Sequence, residues 1–137
     1  MKSYKFCGAS VVALSALIFA GTAYADPRGV WLAKDGAHVR VSACGPGLCA
    51  TVATPRPDGP WTDKNNPDPA LRDRSIVGVT VLYNMMPDGP GKWSGTLYNT
   101  DDGRTYSGHL LELDGNTIRV EGCVLGICGG KNLTRLQ

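Results

Sequence analysis

Short apolar runs recur along the chain, separated by glycine, proline and aspartate, and almost no window carries helical spacing. This pattern predicts an all-β chain. The first run covers residues 29–33 and ends at the turn signal Lys34-Asp35-Gly36. Residues 37–43 then alternate, with Ala37, Val39, Val41 and Ala43 on one face and His38, Arg40 and Ser42 on the other. A glycine turn leads into a return strand over residues 48–54. Residues 76–83 (IVGVTVLY) are β-branched and apolar on both faces, which predicts a strand covered on both sides or facing a filled interior.

The remainder reads as a meander. KWSGTLYN (92–99) is joined by TDDGR to TYSGHLLEL (105–113), and Asp114-Gly115 supplies a strong hairpin signal before NTIRVEGC. A short last run, 132–136, is placed to close the sheet. Gly95, Gly108 and Gly122 interrupt strand patterns, where they permit bends and close approaches. About eight antiparallel strands with no helical layer to cover them must bury their apolar faces against each other. Closure does this, so the expectation is a small closed antiparallel up-and-down barrel, with a two-sheet sandwich as the competing arrangement.

The first 25 residues read as a secretory signal peptide: Lys2 and Lys5 at the start, an apolar core over 11–20, and a small-residue cleavage site at Ala23-Tyr24-Ala25. That core is shorter than the roughly 20 residues a membrane span needs. Cys7 follows Tyr4-Lys5-Phe6, which lacks the small residues expected before a lipid-modified cysteine. The expected product is therefore soluble, periplasmic or secreted, with one domain over 26–137. Without Lys2 and Lys5, twelve basic residues face twelve acidic ones. A neutral domain gives no support for nucleic acid as a partner.

Four cysteines remain, in CGPGLC (Cys44, Cys49) and CVLGIC (Cys123, Cys128). An even count in a small exported domain points to disulfides, for which three pairings are open. Local pairing closes short loops, worth roughly 2 kcal/mol each, against roughly 4.5 kcal/mol for a bridge joining the halves. The turn at Gly45-Pro46-Gly47 favours the local arrangement. Zinc is the rival use of these thiols, but the spacing is looser than the usual thiolate knuckle.

Gly29-Val30-Trp31 resembles the opening signature of lipocalins and related calycin barrels. In those barrels the tryptophan plugs the closed end and an arginine from the last strand packs across it, which implies Arg135 here. More extensively, DPRGVWL, CGPGLC, NNPDPALRDR, PDGPGKWSGTLYNTDDGRTYSG and GCVLGIC, in this order, resemble the exported bacterial family catalogued as domain of unknown function 2147. The resemblance implies a lipocalin-like barrel and an envelope or secreted location, and brings no activity with it. The chain departs near its end, where Leu133-Thr134-Arg135 stands in place of a Trp-Thr-Arg-like finish.

The polar segment TDKNNPDPALRDR (62–74) invites three readings. As a calcium loop it offers Asp63, Asn65 and Asp68, but Pro67 and Pro69 break the ligand spacing. As a braced loop it has Asp68 as an N-cap and Pro69 at the first position of a helical turn. As a lid it would bring Trp61, Asn66 and Arg72 to a guest. Ser107 and His109 share a strand face without an orienting acid or a nucleophile elbow, and Asp101-Asp102 reads as a hairpin turn ending at a left-handed Gly103. No catalysis, cofactor or metal is expected. Trp93 and Tyr98 fall on opposite faces, so only some of the large rings face inward. The resulting expectation is a barrel that binds a small apolar or amphipathic ligand, with Trp61, Asn66, Arg72, Tyr83, Tyr98 and Tyr106 as candidate rim or interior contacts. The alternative is a structural or interaction module of the envelope with a filled core.

Overall fold

The computed structural model describes Ser3, residues 8–18 and residues 26–137. Lys2, Lys5, Cys7 and the Ala23-Tyr24-Ala25 site of the expected signal lie outside the described residues. Residues 8–18 belong to no helix or strand and are exposed.

Among the described residues eight strands follow in order: β1 Gly29–Ala33, β2 His38–Cys44, β3 Gly47–Thr54, β4 Thr80–Pro87, β5 Lys92–Asn99, β6 Arg104–Asp114, β7 Thr117–Val124 and β8 Ile127–Arg135. Each pairs antiparallel with its neighbour in sequence. β8 then returns to β1, with Trp31 opposite Arg135, Leu32 opposite Thr134 and Ala33 opposite Leu133. The sheet is a closed eight-stranded up-and-down barrel, as the patterning predicts, and the β1–β8 ladder rules out the sandwich. Among the described residues, every strand and both apolar clusters lie within 29–135.

Two strands sit elsewhere than expected. The apolar run 76–83 is not one strand: Gly78 adopts φ +86°, Val79 N–H bonds back to the Ile76 carbonyl, and β4 starts only at Thr80. Ile76 and Val79 are apolar because they pack with Tyr98, Val52 and Tyr83 in a small second cluster. β4 then runs on through a bulge between Tyr83 and Met86 to Pro87, which buries Met85 completely. At the chain's end β8 begins at Ile127, five residues before the expected 132, and its glycines hid the extension. Both disulfides are local, Cys44–Cys49 and Cys123–Cys128.

The main core lies inside the barrel around Trp31, Leu82, Met85, Leu110 and Ile118, with Trp93 and Leu97 packed against it. Trp31 plugs one end. It is fully buried, its indole N–H donates to the Pro27 carbonyl at 2.8 Å, and the Arg135 guanidinium lies over its ring at 4.3 Å from the centroid. Arg135 also donates to the carbonyls of Asp26, Arg28 and Gly115, tying residues 26–28 and the β6–β7 turn to β8. Gly29 completes the plug. A Cβ there would meet the Gln137 carbonyl oxygen at 2.1 Å and Arg135 Nη1 at 2.9 Å, and the residue adopts φ +141°. The Gly-x-Trp pattern is thus a packing requirement for closing this end.

Candidate functional site

In an up-and-down barrel alternate connections share an end. The β2–β3, β4–β5 and β6–β7 turns surround the Trp31 plug, while the β1–β2, β3–β4, β5–β6 and β7–β8 connections surround the other end. That other end opens into a cavity of about 400 Å³. Its wall is apolar, with Val39, Val52, Leu97, Val120 and Leu133 projecting inward from five strands. Its volume falls within the range of small-molecule sites.

Cross-strand register explains why space remains there. Gly95 is opposite Gly108, Gly108 opposite Gly122, and Gly122 opposite Gly129, so a row of glycines crosses β5 to β8 on the face shared with Trp93 and Leu110. At Gly95 a Cβ would strike the Asn84 carbonyl oxygen at 2.4 Å, so this position permits close strand approach. At Gly129 nothing lies within 4 Å of where a Cβ would stand. That end of the row is unfilled volume, and Gly122 and Gly129 both line the cavity.

Charged side chains ring the mouth. Arg56 Nη2 donates to Asp101 Oδ1 at 2.8 Å, spanning the β3–β4 connection and the β5–β6 turn, and Arg56 Nε lies 3.9 Å from Asp35 Oδ2. Lys131 Nζ donates to Asp35 at 3.2 Å. Burial pushes the Asp35 carboxyl upward, but the Ala37 N–H, Lys131 and Arg56 outweigh it and hold the group below its ordinary value. The rim is charge-balanced, and the wall below it is apolar.

A family model described as an uncharacterized protein conserved in bacteria (DUF2147) matches residues 29–135. The chain belongs to the bacterial family DUF2147. No curated protein matches the sequence. This DUF2147 chain is similar to a solved structure described as protein HP1028 from the human pathogen Helicobacter pylori, a member of the lipocalin family. Identity is 22%, the TM-score is 0.73, and the match covers 82% of this chain and 84% of that one. At that identity the likeness establishes a common fold.

The six candidate contact residues of the DUF2147 chain fall in different places. Tyr106 lines the cavity, and its hydroxyl donates to Asp102. That bond raises the Tyr106 phenol and lowers the Asp102 carboxyl. Tyr98 also borders the cavity, but its hydroxyl points to the opposite side and donates to Asp63 at 2.7 Å. Tyr83 and Asn66 line a second, more open pocket of mixed polar and apolar lining with Tyr98, Arg74 and Arg104. Trp61 is 62% exposed and lines neither the cavity nor this pocket, and Arg72 donates its Nε to the Asn66 carbonyl at 2.8 Å.

The segment 62–74 is a braced connector. Asp63 is fully buried, and its carboxylate accepts from Tyr98, from Asn66 Nδ2 at 2.9 Å and from Arg74 Nε and Nη2 at 3.0 and 2.8 Å. Its oxygens are therefore committed to protein donors. Asp68 caps the 3-10 turn Pro69–Leu71 by accepting from Ala70 N–H. Asn65 Nδ2 donates to the carbonyls of Thr100 and Asp101, where Gly103, at φ +70°, leaves room for the Asn65 backbone.

Two clusters outside the cavity carry reactive residue types. The ligand atoms of His109, Cys123 and Cys128 lie within 4.8 Å of one another, but the two sulfurs are bonded to each other. Ser94 stands between Asp88 and His109, at 2.6 Å from Oδ2 and 2.9 Å from Nδ1. As oriented here the serine hydroxyl donates to Asp88, and whether His109 Nδ1 donates to Oγ or accepts from it depends on the imidazole tautomer. A histidine acting as base on a serine accepts the hydroxyl proton, whereas the hydroxyl here donates to the carboxylate.

Proposed function

We propose that this DUF2147 protein is exported and binds a small apolar or amphipathic molecule in its barrel without transforming it. The observation that carries the reading is the apolar cavity of about 400 Å³ at the open end of a barrel whose other end Trp31 plugs. A filled core, as the structural-module reading requires, would leave no such space. The charge-balanced rim suits a guest whose polar end remains at the mouth, satisfying its own hydrogen bonds there. The two hairpin disulfides and the signal-like start support export.

Gly129→Leu tests the reading, because the new side chain projects into open space at the cavity wall without a backbone clash. Titration with an environment-sensitive fluorescent fatty-acid analogue should give saturable binding to the parent protein. The variant should bind roughly ten-fold or more weakly, with an unchanged melting temperature. Equal binding by both proteins, or none by the parent, would remove the support for a guest in the barrel. Native mass spectrometry after gentle purification then identifies what the cavity retains.

A further inference from the structure

The β7–β8 hairpin ends in an apolar tip at the open end of the barrel. Val124 is opposite Ile127, and Leu125-Gly126 form the two-residue turn. Leu125 is 97% exposed, Ile127 79% and Val124 51%. The tip is held directly beneath by the Cys123–Cys128 disulfide.

Leu125 makes this tip costly twice over. Its φ is +51° and that of Gly126 is +78°, the left-handed pair that a twisted hairpin demands and that Asn-Gly satisfies best. A leucine there strains the backbone, and a nearly fully exposed leucine recovers nothing by packing. The hairpin stapled by Cys44–Cys49 at the plugged end differs: Gly45 takes its left-handed position, and its leucine, Leu48, is buried. Asparagine at position 125 would serve both folding and solubility better than leucine does. The residue therefore serves something outside the folded chain.

We infer that this tip docks the barrel mouth onto a lipid bilayer surface. Three aliphatic side chains on a convex two-residue tip need a medium that conforms to them, which an acyl layer does and a shaped protein groove does only by matching. Trp61, whose ring type favours the membrane interface, and Val77, 51% exposed, lie on the β3–β4 connection at the same end. The apolar cavity opens there too, so a docked mouth faces the hydrocarbon from which an apolar guest would be drawn. Arg56 and Lys131 are neutralised by Asp35 and Asp101, so the attraction is apolar and insensitive to salt. The inference goes beyond the cavity reading, because exposure and backbone conformation at the tip stand whether or not the barrel holds a guest.

The test is co-sedimentation with phosphatidylcholine vesicles, with and without phosphatidylglycerol, in the absence of any guest. The chain from Asp26 is used, since it contains the eight strands, both clusters and both disulfides described above and omits the apolar run 11–20. The parent should partition onto both vesicle types equally at low and high salt. Leu125→Asn should weaken this roughly ten-fold while raising the melting temperature, and adding Ile127→Thr should abolish it. No sedimentation of the parent, or equal sedimentation of the variants, overturns the proposal. So does binding that requires phosphatidylglycerol and disappears with salt. Self-association without vesicles that is lost in Leu125→Asn assigns the tip to a second copy and overturns the lipid assignment. Guest titrations on the same proteins without vesicles keep this outcome separate from that of the cavity.

Discussion

Asp63 and Tyr98 form a buried charge-assisted pair that holds the β3–β4 connection to the barrel, and two titrations report on it. Burial raises the Asp63 carboxyl, but bonds from Tyr98, Asn66 and Arg74 prevail and leave it below its ordinary value. A lowered folded value gives stability that is complete above the unfolded value of about 4 and is lost as pH falls through the folded one. Burial and the Asp63 bond push the Tyr98 phenol the other way, up to about 12. Its contribution is complete below the unfolded value of about 10, and about 2–3 kcal/mol should disappear between pH 10 and about 12. Urea unfolding across that window should show the decline in the parent. In Tyr98→Phe it should be largely flattened, with a loss of about 1–3 kcal/mol at neutral pH. An unchanged alkaline slope in Tyr98→Phe would assign the titration to another group. None of this pairing was legible in sequence. Asp63 offered an oxygen and Tyr98 a ring, and only the closed barrel brings positions 35 apart into contact.

At the scale of elements, legibility followed alternation. β1, β2, β3, β5 and β6 lie close to their expected limits because period-2 patterning and turn residues agree there. β4 failed because apolar β-branched residues serve two different burials in succession: Ile76 and Val79 in the connection's own cluster, Leu82 and Met85 inside the barrel. β8 was shortened because Gly129 and Gly130 carry no side-chain pattern, although their lack of side chains leaves room in the barrel wall. The glycine row was visible only in part, since its alignment depends on register across four strands. Comparing Met85→Ala with Val77→Ala tests the placement of β4. Met85 is fully buried and Val77 is 51% exposed on the connection. The first should cost about 2–5 kcal/mol and the second within about 0.5 kcal/mol. Equal costs would return the strand to 76–83.

For the whole molecule, the proposed function assigns stability to the Trp31 end and binding to the mouth. The closed end concentrates interactions: the Arg135 guanidinium on the Trp31 ring, four backbone carbonyls held by the same arginine, and a glycine into which the last residues fit. The open end carries the unfilled glycine wall, the charged rim and the strained leucine. Arg135→Ala should therefore cost about 2–4 kcal/mol through lost cation–π and charge-assisted bonds, yet leave guest affinity nearly unchanged below its melting temperature. Gly129→Leu should do the opposite, leaving stability intact and weakening the guest. Thermal melts and probe titrations on the two proteins give a two-by-two outcome. If Arg135→Ala lost affinity while its barrel remained folded, the plug would be setting the shape of the cavity from the far end. The two ends would then act as one unit, and the guest would be sensing the whole length of the barrel rather than the wall near its mouth.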